Sequence, residues 1–221
     1  MVAGQTVPLR MVRHPRARRY LLRLLPDGTA QVTIPRNGTF IEGGKFAGRQ
    51  TRWLEVQLQR LKDRPPIQTE WVAGHQILFR GELVTIRNLS PGYVQLGDET
   101  VKSGEAANLR PGLQRHLHRL AARELPPRVM ALAQQHGVVV TGVTVRNQRT
   151  RWGSCSRHGR ISLNWRLIQT PGFVSDYIIL HELMHRRQLN HSARFWQEVE
   201  RVCPEYQKAE RWLKQHSALL S

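Results

Sequence analysis

The chain has 221 residues, 40% of them apolar, which is enough for one or two domains with a real core. No apolar run approaches the ~18–20 residues that cross a bilayer, and two cysteines, Cys155 and Cys203, exclude a disulfide scaffold and a four-cysteine zinc module. Lys and Arg number 34 against 16 Asp and Glu, a net charge of +18. Such a surface attracts polyanions, nucleic acid among them, but genome-driven arginine use gives the same excess, so charge alone assigns no function.

Met1 to Tyr20 is basic without the apolar segment of a secretory signal, so a cytoplasmic, reducing setting without membrane attachment is expected. Residues 1–64 carry 13 basic and 4 acidic side chains, with the densest run from Arg10 to Arg19. Tyr20 to Leu25 and Ala30 to Ile34, joined by Pro26-Asp27-Gly28, read as a β-hairpin. Gly43-Gly44-Lys45 is followed by Phe46 and lacks the earlier glycine, so it is not a phosphate-binding loop. Arg49 to Leu61 has helical spacing, with Trp53, Val56, Leu58 and Leu61 apolar, and Pro65-Pro66 should stop it. Gln76 to Phe79, Leu83 to Arg87 and Tyr93 to Leu96 read as short strands. Leu109 to His136 reads as a helix that Pro126-Pro127 should kink or split. Val138 to Arg146 is strand-like, and Thr150 to Ser156 and Arg160 to Leu167 form a strand pair about His158-Gly159. Thr170 is positioned to cap a helix from Pro171 through Arg187, Ser192 a second one ended by Pro204, and Tyr206 to Leu220 is a third.

His181-Glu182-Leu183-Met184-His185 carries the chemistry. Residues four apart stack one turn above each other on a helix face, so two imidazoles can grip one metal ion. Glu182 is rotated by about 100° from His181, which lets its carboxylate flank the site rather than ligate. The helix is apolar nearly all round and should be buried, where unpaired His and Glu side chains are costly. A catalytic zinc keeps three protein ligands and one open position. His191 leads as the third, although an unbroken helix would carry it about 9 Å beyond His185 and off the face. The helix must therefore end between Arg186 and Asn190, and Asn190 can supply a left-handed turn. Glu198, Glu200 and Glu205 are the alternative third ligands.

Arg151-Trp-Gly-Ser-Cys-Ser156, Ile161-Ser-Leu-Asn164-Trp-Arg-Leu167, Asp176-Tyr177, the His181 to His185 run, Asn190-His191-Ser192 and Phe195-Trp196 together resemble the YgjP-like predicted metal-dependent hydrolases, relatives of the SprT-like zinc proteases. The likeness spans roughly Val138 to Tyr206 and extends more loosely to Pro26-Asp27-Gly28 and Trp53. It implies a zincin-like half with one catalytic zinc ion on His181, His185 and His191, and Glu182 as the base that activates a zinc-bound water for peptide hydrolysis. It also places Trp152-Gly153-Ser154 and Asn164 near the site, the tryptophans as packing. His158, Tyr206 and His216 are candidates for a second oxyanion donor. The expected architecture is α+β: a β-rich basic N-terminal domain over residues 1–105, bounded near Lys102-Ser103-Gly104, then a metallopeptidase domain over 106–221 with a short antiparallel sheet and metal-binding helices. Protein or peptide is the expected substrate. The competing reading is a nucleic-acid-associated protein with a structural or vestigial metal site, or a protease recruited to DNA-bound proteins; Arg10 to Arg19 and Arg146 to Arg151 motivate it.

Overall fold

A computed structural model describes residues 6–63 and 70–220 and divides the chain into two compact units, Met1–Pro66 and Ile67–Ser221. The fold is mixed, with small sheets and six helices among the described residues. In the first unit, β1 (Leu9–Arg13), β2 (Leu21–Leu24) and β3 (Ala30–Ile34) form one sheet with β3 in the middle. The expected hairpin is present: β2 and β3 are antiparallel, and Gly28 supplies the positive φ of 83° that the turn requires. The basic run supplies β1, which pairs parallel to β3. Ala30, Val32 and Ile34 alternate inward.

Two helices follow, α1 (Phe40–Arg49) and α2 (Thr51–Lys62). The second matches the expected helix; the stop expected at Pro65-Pro66 lies outside the described residues. The first is additional, and its sequence marker is Thr39-Phe-Ile-Glu42, a reciprocal capping box in which Thr39 Oγ1 accepts from the Glu42 N–H and the Glu42 carboxylate accepts from the Thr39 N–H. The Tyr20 hydroxyl donates to the same carboxylate at 2.7 Å and ties the cap to the strand.

The second unit opens with the hairpin β4 (Gln76–Phe79) and β5 (Glu82–Thr85), then the meander β6 (Arg87–Ser90), β7 (Tyr93–Leu96) and β8 (Glu99–Lys102). Trp71, Ile77, Phe79, Leu96 and Val101 from this segment share one buried core with Leu113, Leu117 and Leu120 of α3 (Arg110–Gln135). Gln169 is fully buried and donates to the Leu78 carbonyl at 2.9 Å, stitching the first hairpin to the later chain. The boundary expected near Lys102-Ser103-Gly104 thus falls inside this unit, between two elements of one core.

Helix α3 runs unbroken through Pro126-Pro127, against the expected split. Each internal proline costs about 3 kcal/mol in an isolated helix. Leu120, Ala121 and Leu125 before the pair, and Val129, Leu132 and Ala133 after it, are all buried, and that burial outweighs the lost backbone bonds.

The next sheet contains β9 (Gly142–Arg146), β10 (Gly153–Cys155) and β11 (Arg160–Asn164), in the order β10-β11-β9. Only β10 and β11 are antiparallel; β9 pairs parallel to β11, so the sheet is mixed and not the purely antiparallel one expected. The cause is the excursion through β10, which reverses the chain twice before β11 returns along β9. A short 3-10 turn, Trp165–Gln169, leads to α4 (Gly172–Met184), α5 (Ala193–Val202) and α6 (Tyr206–His216). Helix α4 starts one residue later than expected, with Pro171 at the cap position, and the Thr170 hydroxyl donates to the Leu167 carbonyl. It packs against α3, α5, α6, β10 and β11, so whatever it carries lies at the centre of the unit. No described helix is long and apolar enough to cross a membrane.

Candidate metal centre and active-site cleft

Helix α4 ends at Met184, with His185 as its C-cap, two residues before the earliest end expected. The Arg186, Arg187 and Gln188 N–H groups fold back on the Leu183 and Met184 carbonyls. Asn190 does not take the left-handed conformation expected of it; Arg80 is the described non-glycine residue with positive φ. The early exit at His185 makes that strained turn unnecessary.

This path brings His191 back to the helix. His181, His185 and His191 offer ring nitrogens that all lie within 4.8 Å of one another, a group that could hold a metal ion. The His181 and His191 Nε2 atoms are 3.1 Å apart. Two ligands of a tetrahedral ion with bonds of about 2.0–2.1 Å would be roughly 3.3 Å apart, so the spacing suits a shared cation. The alternative carboxylates are elsewhere: Glu198 pairs with Arg187 at 2.9 Å and Arg201 at 3.0 Å, Glu205 lies on the surface near Lys208, and Glu200 stands outside the cluster.

The imidazoles have the chemistry of ligands. Burial, with the neighbouring His185 and His191, pushes the His181 pKa down to about 4, and burial also lowers that of His185, so both present neutral rings near pH 7. His185 Nδ1 lies 3.1 Å from the Gln188 carbonyl. A carbonyl only accepts, so that contact sets the proton on Nδ1 and leaves the Nε2 lone pair free. His181 Nδ1 is buried and meets no protein partner among the described residues. At 3.1 Å, one of the His181 and His191 Nε2 atoms must donate to the other unless a cation takes the proton's place.

Phe195, fully buried on α5, underlies the whole group. Its ring stacks on His185 at 4.5 Å and meets His181 and His191 edge-on at 4.9 and 4.8 Å. Only its place in the family resemblance pointed to it; a single apolar residue in an amphipathic helix carries no further signal.

Glu182 is 7% exposed, and burial raises its pKa to about 7 against the lowering pull of Arg151. Space for it comes from Gly153 on β10: a Cβ there would sit 2.6 Å from Glu182 Cγ and 2.7 Å from Oε1. Gly153 therefore permits close approach of strand and carboxylate. Gly153→Ala should displace Glu182 while leaving the histidines in place. The expected result is a fall in peptide turnover of about 100-fold, the usual cost of a 1 Å misplacement, at unchanged metal content. Steady-state kinetics beside elemental analysis checks it.

Glu182 and the three histidines line a cleft of about 640 Å³. One wall is Arg151 to Cys155, ending in β10; the other includes Glu210 and Leu213 of α6. Tyr177, buried on α4, donates to Glu210 at 2.9 Å, and this bond and burial raise its pKa. Glu210 had no sequence signal. Asn164 acts one step back: its Nδ2 donates to the Gln148 and Arg151 carbonyls at 2.9 and 3.1 Å, pinning the loop that enters β10. Trp152 packs on the core edge, whereas buried Trp165 turns its ring toward His118 of α3. His158, Tyr206 and His216 are absent from the cleft lining; Tyr206 stacks on Tyr177 and Trp196, and His216 on Trp212.

The YgjP-like metallopeptidase domain family matches residues 18–216, most of the chain. The protein belongs to the YgjP-like family. Membership supports a metal-dependent peptidase acting on protein substrates, for which the histidine group could bind the ion. The crystal structure of the metallopeptidase zymogen of Pyrococcus abyssi abylysin is 24% identical, with a TM-score of 0.36 over 39% of this chain and 90% of that one, too slight a likeness to build on. A comparison with curated proteins finds no match.

Proposed function

We propose that this YgjP-like protein is a zinc-dependent metallopeptidase in which His181, His185 and His191 hold one zinc ion and Glu182 is the general base. The zincin-like arrangement belongs to the same proposal. The observation that carries it is the convergence of three imidazoles beside a buried carboxyl in one open cleft. Zinc held there would supply a Lewis acid that polarises a carbonyl and eases deprotonation of water near neutral pH. The histidines supply neutral lone pairs, held in place by Phe195 and, for His185, by the Gln188 carbonyl. With its pKa near 7, Glu182 can accept a proton from the attacking water and return it to the departing amine. Strand β10 is the edge of its sheet and lines the cleft, so an extended peptide can add to it as a further strand. Both cysteines are free thiols, in keeping with a reducing, cytoplasmic setting. The test is peptide cleavage that stops on chelation and returns with one equivalent of zinc. A chelated protein that cleaves at the original rate would overturn the proposal.

The nucleic-acid reading is compatible with catalysis, although Arg151 also lines the cleft. Arg146, Arg149 and Arg151 form no ion pair with a carboxylate among the described residues, so internal pairing does not consume that basic run.

A further inference from the structure

Residues 125 to 175 contain seven arginines and no aspartate or glutamate. Fifty-one consecutive positions without a carboxylate leave those cations without nearby partners in sequence, so their neighbours in space decide their role. Part of this segment meets α3 outside the metal cleft. A pocket of about 530 Å³ is lined by Arg115, His118 and Arg119 of α3, together with Asn147 and Trp165. Arg115, His118 and Arg119 are three and four residues apart and therefore share one face of the helix.

Arg166 borders the same place. Its Nη1 donates to Asn147 Oδ1 at 2.6 Å, and its guanidinium lies 4.6 Å from the centre of the Trp165 ring. It is half-buried, and burial first, then the charge of Arg110, pulls its pKa down. A cation withdrawn from water is unfavourable unless it is paired. Among the described residues, Arg115, Arg119 and Arg166 make no ion pair with a carboxylate. The Trp165 ring is 2% exposed and covered by Arg166, so it offers no platform for a base or other flat ring. What the pocket offers is forked guanidinium donors at a rim of like charge, the chemistry that recognises phosphate oxygens.

We propose that this pocket is a phosphate-binding site, separate from the metal centre, formed by Arg115 and Arg119, with Arg166 held beside it by Asn147. The phosphate can belong to a small ligand or to the backbone of a nucleic-acid strand, and two arms of one experiment separate the sources. The full-length protein is titrated with inorganic pyrophosphate by calorimetry, and with a labelled single-stranded oligonucleotide by fluorescence anisotropy at several salt concentrations. The double variant Arg115→Ala/Arg119→Ala is compared with a charge-matched double variant, Arg157→Ala/Arg160→Ala, at the opposite end of β11. All four arginines are exposed, so both variants should keep the fold, and melting curves check this.

For a nucleic-acid strand, the pocket variant lowers the slope of log K against log salt by about 1 to 1.5, at about 0.7 per phosphate contact, and the control lowers it less. For a small ligand, pyrophosphate binds the parent and loses at least tenfold in affinity in the pocket variant, while the oligonucleotide binds parent and variant alike. Equal losses in both double variants, or no binding of either probe at low salt, would overturn the site. Peptidase activity is not part of the readout, so the result is independent of the metal-centre proposal.

Discussion

Glu182→Gln should abolish peptide turnover, keep the metal and stabilise the metal-free protein at alkaline pH. The loss of turnover is expected at about 100- to 10,000-fold, the range for a positioned general base. Metal is retained because the carboxylate is not among the converging imidazoles. The stability gain follows from burial. Raising a carboxyl from 4.5 to about 7 means that ionising it inside the fold costs about 3 kcal/mol more than in the unfolded chain. The stabilising contribution of Glu182 is complete below pH 4.5 and is lost as pH rises through 7. His181 runs the other way: with its folded pKa pushed down to about 4, its contribution is present above 6.5 and lost as pH falls toward 4. In the parent these two trends oppose each other between about pH 4.5 and 6.5. In the Gln variant only the histidine trend remains, so metal-free stability should climb with pH and exceed the parent at pH 8 by about 3 kcal/mol. Denaturant titrations in chelator across pH 4 to 8 measure it. A variant no more stable than the parent at pH 8 would show that the carboxylate is not held in the low-dielectric setting described.

His191→Ala should empty the metal centre while leaving the metal-free fold unchanged. His191 is exposed and lies in the connection between α4 and α5, so removing its ring should change metal-free stability by no more than about 0.5 kcal/mol. In the parent, metal at about 1,000 times its Kd adds about 4 kcal/mol. For a unit of this size that is a Tm increase of roughly 8–16 °C. The variant should lose most of this increase and bind metal substoichiometrically. His185→Ala should lose metal too, but it also removes a ring stacked on Phe195 and should weaken the metal-free protein. A full metal-dependent Tm shift in His191→Ala would mean that another group completes the centre.

The reactive half of the site was legible because helix geometry fixes it. Two histidines four apart on an apolar helix must share a face, whatever surrounds them, so His181, His185 and the offset Glu182 could be read directly. His191 was legible by spacing and family resemblance, but its approach was not. The left-handed Asn190 presumed a helix that runs on past Arg186, whereas α4 stops at Met184. Glu210 became a functional candidate only in three dimensions, because it reaches the cleft through the packing of α6 on α4, and the role of Gly153, placed near the site by the resemblance, follows from the packing of β10 on α4. The same division runs through the fold. The hairpin at Asp27-Gly28 rests on local turn chemistry and is legible in the sequence. The parallel pairing of β9 with β11 joins residues about 18 apart and leaves no mark in either strand. Pro126-Pro127 does not split α3 because the buried residues on either side outweigh local propensity, which is all that a proline pair shows in sequence. The α1 capping box is a purely local signal, carried by Thr39 and Glu42.

One ring has a wider consequence. Phe195 belongs to α5, yet it is the shared neighbour of three imidazoles that belong to α4 and the connection after it. Undocking α5 would take away the support of every nitrogen donor at once, and a cation seated among those nitrogens would in turn oppose the undocking. An ion held there would therefore act as a latch on the C-terminal part of the chain, so that starvation for metal would loosen architecture as well as silence chemistry.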